Sequence, residues 1–267
     1  MTPTYAIANQ KGGVGKTTTS VNLAASLAHI GKRVLLVDMD PQGNATTGSG
    51  VEKNELEITV CEVLSEQVSI KRAIISDLAA GYDLLPANGD LIAAEVYLLK
   101  EQGREKNLKI AFTELDDYYD VVIIDCPPAL NMLTVNALTA SDRLIIPMQC
   151  EYYALEGLSA LVGTVAKIVK TVNPRLRVEG ILRTMYDPRN TLTNEVSNQL
   201  HKYFGDRVYQ TVIPRNIRLA EAPSHGKPAL VYDRSSKGAI AYLGMAEELI
   251  RRSNNGRQTD NDKPATT

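Results

Sequence analysis

A chain of 267 residues, 44% hydrophobic and 22% charged, is long enough for one or two domains with a sizeable core, which excludes a wholly disordered, collagen-like or coiled-coil protein. No apolar run reaches the ~18 residues of a membrane span, no signal-peptide pattern opens the chain, and the expected compartment is the cytoplasm. Cys61, Cys126 and Cys150 show no Cys-x-x-Cys spacing, which argues against a disulfide framework and against a sequence-local metal or iron-sulfur site. The net charge of −2 hides an asymmetry: residues 167–237 hold thirteen Lys or Arg against six Asp or Glu, and the remainder holds sixteen against twenty-five. Taken alone, such an excess is more often a solvated face than a nucleic-acid-binding one.

Along the chain, apolar and β-branched runs predict strands over residues 5–8, 34–37, 82–85, 121–124, 144–147, 178–182 and 208–212. Several are apolar on both faces, as strands covered by helices on two sides must be. Between them, helical patterns span 16–30, 91–115 with a break near Gly103, 131–140, 155–172, 192–204 and 239–252. This βαβ alternation predicts an α/β fold with a doubly wound, mostly parallel sheet. No repeat or linker divides it, so residues 1–252 are expected to form a single domain. The polar, aperiodic residues 253–267 are expected to be a disordered tail.

Directly after the first strand stand Lys11, Gly12, Gly13, Val14, Gly15, Lys16, Thr17 and Thr18, followed by a helix. Gly15-Lys16-Thr17 is the end of a phosphate-binding loop, although Gln10 replaces its usual first glycine. Glycines let backbone N–H groups converge on phosphate oxygens, and the helix N-terminus adds partial positive charge. Lys16 is placed to reach the β- and γ-phosphates and Thr17 to offer its hydroxyl to Mg²⁺. Carboxylates follow two later strands, in Asp38-Met39-Asp40-Pro41 and in Ile124-Asp125-Cys126-Pro127. They lie at the C-terminal strand edge, where open α/β sheets bind ligands. Cys126 reads as a small buried residue.

The second lysine, Lys11, makes the loop a deviant Walker A pattern. Here the sequence resembles the ParA family of partition ATPases (Soj in its chromosomal form), within the wider group that includes MinD and the nitrogenase iron protein. The resemblance spans residues 3–252. It implies a P-loop fold and an ATP-sandwich homodimer in which Lys11 reaches the phosphates on the other subunit, as an arginine finger does. It further implies that Asp40 positions or activates the attacking water, that Asp125 holds Mg²⁺ through water, and that Asp38 lies in the metal's surroundings. Lys11, Lys16 and Asp40 are thus the catalytic candidates, and Thr17, Asp38 and Asp125 the metal ones. Adenine and ribose contacts map onto the loop Thr184-Met185-Tyr186 and onto Ile213-Pro214-Arg215-Asn216, with Met185, Pro214 and Asn216 as candidates.

The same resemblance maps DNA-contacting arginines onto Arg189 and Arg218, and Lys202, Arg207, Arg215, Lys227 and Lys237 are candidates to extend the patch. Arginine grips phosphate oxygens without reading bases, and no recognition-helix or zinc-finger motif is evident, so binding to double-stranded DNA is expected to be non-specific and salt-sensitive. The function implied is a slow, Mg²⁺-dependent ATPase that alternates between ATP and ADP, associates with the nucleoid and drives chromosome or plasmid partition with a ParB-type centromere-binding partner. Three other readings stand beside it. A MinD-like membrane protein needs a C-terminal amphipathic helix, yet no Leu, Ile, Phe or Val follows Ser253. An iron-sulfur carrier needs cysteines at fixed positions. A small-molecule kinase or synthetase on the same fold would not need the basic excess.

Overall fold

Seven strands are laid down by the seven apolar runs: β1 (Thr4–Ile7), β2 (Val34–Asp38), β3 (Asp83–Leu85), β4 (Val121–Asp125), β5 (Arg143–Gln149), β6 (Arg177–Tyr186) and β7 (Val208–Pro214). The computed structural model describes residues 2–100, 103–115 and 117–261. All strand pairs are parallel, in the order β3-β2-β4-β1-β5-β6-β7, and one isolated antiparallel bridge joins Ile75 to Leu84. Chain direction of growth therefore reverses about β1, which places the loop after β1 at the switch point between β4 and β5, where such sheets open a crevice.

The helices are α1 (Lys16–His29), α2 (Asn44–Gly48), α3 (Val60–Leu64), α4 (Ile70–Ala73), α5 (Leu91–Leu98), α6 (Asn107–Ala111), α7 (Met132–Ala140), α8 (Ala154–Thr171), α9 (Thr191–Phe204), α10 (Ile217–Glu221), α11 (Ala229–Tyr232) and α12 (Lys237–Asn261). Side-chain alternation along the strands explains why both faces need cover. Tyr5, Ile7, Leu36, Ile123 and Ile145 pack with α1 and α12 on one face, while Ala6, Leu35, Val37, Ile124 and Ile146 pack with α3 and α5–α9 on the other. Each fully buried Leu or Ile contributes about 1.5–3 kcal/mol of transfer free energy, so the strands are fixed in register by two cores at once.

Several differences from the sequence reading have local causes. α2, α3, α4, α10 and α11 span only four or five residues each, too short for a periodic apolar pattern to announce them. Side-chain caps start three of them: Thr59 and Glu62 form a capping box at α3, Ser69 accepts from the Lys71 N–H at α4, and Asn216 accepts from the Arg218 N–H at α10. The expected break at Gly103 is present at φ 94, with α5 before it and α6 after it. β6 runs to Tyr186, so Thr184-Met185-Tyr186 are the last residues of a strand rather than a loop after one. Finally, α12 continues past Ser253, where the polar tail was expected, to Asn261. A helix already nucleated and packed through Tyr242, Met245 and Leu249 adds one hydrogen bond per further residue, whatever its side chain. Residues 262–267 of the expected tail lie outside the described residues.

Candidate nucleotide site

The chain leaves β1 through a glycine-rich loop that enters α1 with no side-chain cap. Gly15 stands at the N-cap with φ 86, a left-handed conformation that costs glycine little and other residues considerably more. Beyond the Cα atoms of Gly12 and Gly13 a side chain would meet nothing within 4 Å, so this stretch of backbone lies open. The first N–H groups of α1 lack intrahelical partners and face the same end.

Lys16, on the first turn of α1, is only 7% exposed and donates to the Lys11 carbonyl oxygen at 3.3 Å. Burial lowers its pKa, while Asp125 and Asp40 act in the opposite direction. Beside it, Thr17 Oγ1 donates to Asp125 Oδ2 at 2.8 Å and Ser20 Oγ to Asp125 Oδ1 at 2.7 Å. Asp38 faces Asp125 across the β2–β4 register, both wholly buried. Burial raises both pKa values, and the mutual proximity of the two carboxyls adds to the rise at Asp125; hydrogen bonds from Ser20 and Thr17 oppose it there. Two desolvated carboxyls at adjacent strand ends favour a cation nearby.

The candidates at Asp38 and Asp40 divide into two roles. Asp38 accepts from the Asp40 N–H at 3.1 Å and from the Thr46 N–H and hydroxyl at 2.8 Å each, so its oxygens are spent shaping the segment that carries Asp40. Asp40 uses Oδ1 to accept from the Gln42 N–H at 3.0 Å, which leaves Oδ2 for water, and its carbonyl closes a turn with the Gly43 N–H at 2.8 Å. Gly43 is required there: φ is 58, and a Cβ would stand 2.6 Å from the Ala87 carbonyl oxygen. Cys126 is wholly buried, its thiol pKa pushed well up by burial and by Asp125, in keeping with a packing role.

A cavity of about 170 Å³ adjoins the loop, lined by Gly15, Thr18, Met185, Pro214, Asn216 and Tyr242 among others, so the expected base-side residues do converge on the phosphate loop. Met185 adopts φ 48, and Gln149 Nε2 approaches its sulfur. Asn216 Oδ1 is committed to capping α10, which leaves its amide N–H groups as donors.

Two features had no distinct sequence signal. Lys11 pairs with Glu151, both about half-exposed (47% and 50%), and Ser20 joins Thr17 on the Asp125 carboxylate. Spacing of three residues along α1 puts Thr17 and Ser20 on one helix face, a pattern visible in the sequence only once Asp125 is known to lie opposite. On the basic side, Arg189 is 88% exposed and pairs with Asp187 at 2.8 Å, while Arg218 pairs with Glu221 at 2.8 Å and Asp233 at 3.3 Å. The expected extension residues Lys202, Arg207, Arg215, Lys227 and Lys237 are all exposed. Part of the basic excess is internal: Arg183 is buried and donates to Ser197 Oγ and to the Tyr209 and Gln210 carbonyl oxygens.

This donor set fits a Mg²⁺-nucleotide. Thr17 and Asp125 offer hard oxygens, Lys16 offers a buried cation with no carboxylate in ion-pair contact among the described residues, and the glycines offer open backbone. Among the described residues no group of three or more His, Cys, Asp or Glu could hold a metal, and Mg²⁺ typically relies on one or two protein groups plus phosphate oxygens.

Fold and loop together define a P-loop protein of the ParA/MinD type. The AAA domain family matches residues 2–178. The sporulation initiation inhibitor protein Soj of Bacillus subtilis is 54% identical over 91% of this chain and 96% of its own length. The chromosome partitioning protein ParA of Caulobacter vibrioides (strain NA1000 / CB15N) is 47% identical over 92% and 93%. A crystal structure from Mycobacterium smegmatis, described as cobyrinic acid a,c-diamide synthase with bound ATP analog and magnesium, superposes with a TM-score of 0.84 at 41% identity, covering 96% of this chain and 97% of that one. The chain belongs to the Soj/ParA family of chromosome-partitioning proteins.

Proposed function

We propose that this chain is a Mg²⁺-dependent ATPase that dimerises around ATP, binds DNA non-specifically as the dimer, and moves chromosome or plasmid DNA with a ParB-type partner. The observation that carries the reading is the pairing of a buried Lys16, set against the Thr17–Asp125 couple, with a second, exposed lysine on the same loop. Bound Mg²⁺ would neutralise charge on the β- and γ-phosphate oxygens. Thr17 and Asp125 hold the metal side of the site, and Lys16 supplies the cis cation. Asp40 Oδ2 orients a water for attack. Lys11 leaves Glu151 to neutralise phosphate charge on the facing subunit; a half-exposed pair contributes no more than about 1 kcal/mol, so a triphosphate readily outcompetes it.

DNA binding rests on Arg189 and Arg218, whose ion pairs are exposed and exchange easily for phosphate oxygens. Two patches on one dimer raise affinity by avidity, so hydrolysis, by separating the subunits, releases DNA. ATP-bound dimers would therefore sit on the nucleoid. Among the described residues no helix is long and apolar enough to cross a membrane.

A second reading, a small-molecule synthetase, draws support from the description of the Mycobacterium smegmatis structure at 41% identity; the higher identities to Soj and ParA favour partition. Co-sedimentation with random DNA and with anionic liposomes, each with ADP and with ATP, separates the readings. Retention on DNA only with ATP is the expected result. Retention on liposomes would favour a membrane role, and retention on neither would favour the synthetase.

A further inference from the structure

The phosphate loop is tied to two other strands, to β6 by a side chain of that strand and to β5 by the loop's own Asn9, and the tie supplied by β6 has no part in the roles given above. Thr184 is 2% exposed and donates its hydroxyl proton to the Val14 carbonyl oxygen at 2.8 Å, joining positions 170 residues apart. Its Cβ and Cγ2 also lie 3.9 Å from where a Cβ on Gly15 would stand, so the same side chain packs against the next peptide. At the other end of the loop Asn9 bridges to β5, donating to the Pro147 carbonyl oxygen at 2.8 Å and accepting from the Lys11 N–H at 3.0 Å.

In a trans peptide the C=O and the following N–H point in opposite directions. Holding the Val14 carbonyl against β6 therefore turns the Gly15 N–H away from β6, toward the open side of the loop. Gly15, at φ 86, has little steric preference of its own to fix that peptide plane. Were the plane to flip, a carbonyl oxygen would face the anion in place of a donor, replacing attraction with repulsion.

We propose that Thr184 is a positioning residue of the nucleotide site, its hydroxyl orienting the Val14–Gly15 peptide so that the Gly15 N–H faces the bound phosphate. The proposal rests on the nucleotide-binding reading above. It also assigns the end of β6 two tasks, since Met185, the next residue, lines the base-side cavity. The strand end thereby sets the phosphate loop and the base wall in fixed relation.

Thr184→Val keeps the shape and the packing on Gly15 but removes the donor; Thr184→Ser keeps the donor. Calorimetric affinities for Mg-ADP and Mg-ATP, the ATP:GTP preference, and the melting temperature without nucleotide are measured for both. Thr184→Val is expected to weaken both adenine nucleotides about five- to tenfold, one hydrogen bond's worth, with the ATP:GTP preference unchanged, and Thr184→Ser to stay within about twofold of the parent. A parent chain that binds nucleotide while Thr184→Val binds equally well overturns the positioning role and leaves the ATPase reading standing. So does a Thr184→Ser as weak as the valine variant, or a changed ATP:GTP preference, which would place Thr184 in base selection. A parent chain that binds neither nucleotide overturns the ATPase reading and this proposal together.

Discussion

Replacing Lys16 by Ala tests the site at its centre. The residue is buried at 7% exposure, its ammonium donates to a backbone carbonyl at 3.3 Å, and among the described residues no carboxylate sits in ion-pair contact with it. Burial lowers its pKa, while Asp125 and Asp40 oppose that shift and favour the charged form. Removing one partner from a buried, hydrogen-bonded charge pair costs about 3–5 kcal/mol, because the other charge is left without compensation. At about 1.4 kcal/mol per decade, Lys16→Ala is expected to weaken Mg-ATP and Mg-ADP by roughly 10²-fold to a few times 10³-fold. Titration calorimetry with each nucleotide gives the number, and circular dichroism melting without nucleotide confirms that the variant is folded. Affinity within about threefold of the parent, in a folded variant, would refute the placement of Lys16 on the phosphates.

Asp40→Ala is expected to bind ATP and fail to cleave it, so that size-exclusion with ATP shows a persistent dimer; phosphate release at the parental rate, or a monomer under those conditions, would contradict the role. Arg189→Ala and Arg218→Ala should each weaken DNA retention, lower the salt dependence by about one counterion and leave ATP affinity intact, as a filter-binding salt series would reveal. At Glu248, burial pushes the carboxyl pKa up, but hydrogen bonds from Thr211, Gln210 and Arg252 outweigh it and hold the group below its ordinary value. The stability this clip gives between β7 and α12 is therefore complete above the unfolded pKa of 4.5 and is lost as pH falls through the lowered folded value. Glu248→Gln should flatten that acid limb in a melting-temperature series over pH, and an unchanged limb would mean the loss arises elsewhere.

The seven apolar runs, the glycine loop and the carboxylates at two strand ends were readable from the chain because each depends on near neighbours: strand periodicity, the left-handed glycine before Lys16, the acid after a buried strand. Lys16, Thr17, Asp40 and Asp125 fall at one end of the sheet because βαβ topology puts every C-terminal strand edge on the same side, a rule that needs no coordinates. Folding in space decided the rest. That Asp38 spends both oxygens on Thr46 and Asp40, that Lys11 rests on Glu151, that Arg218 meets Asp233 as well as Glu221, and that Thr184 grips Val14 are all contacts between segments far apart or turned by local geometry. Local sequence sets backbone preference and face, whereas the partner of a polar side chain is fixed by which strands lie side by side. Strand order is set by burying two cores at once, a condition on the whole chain and on no single stretch of it.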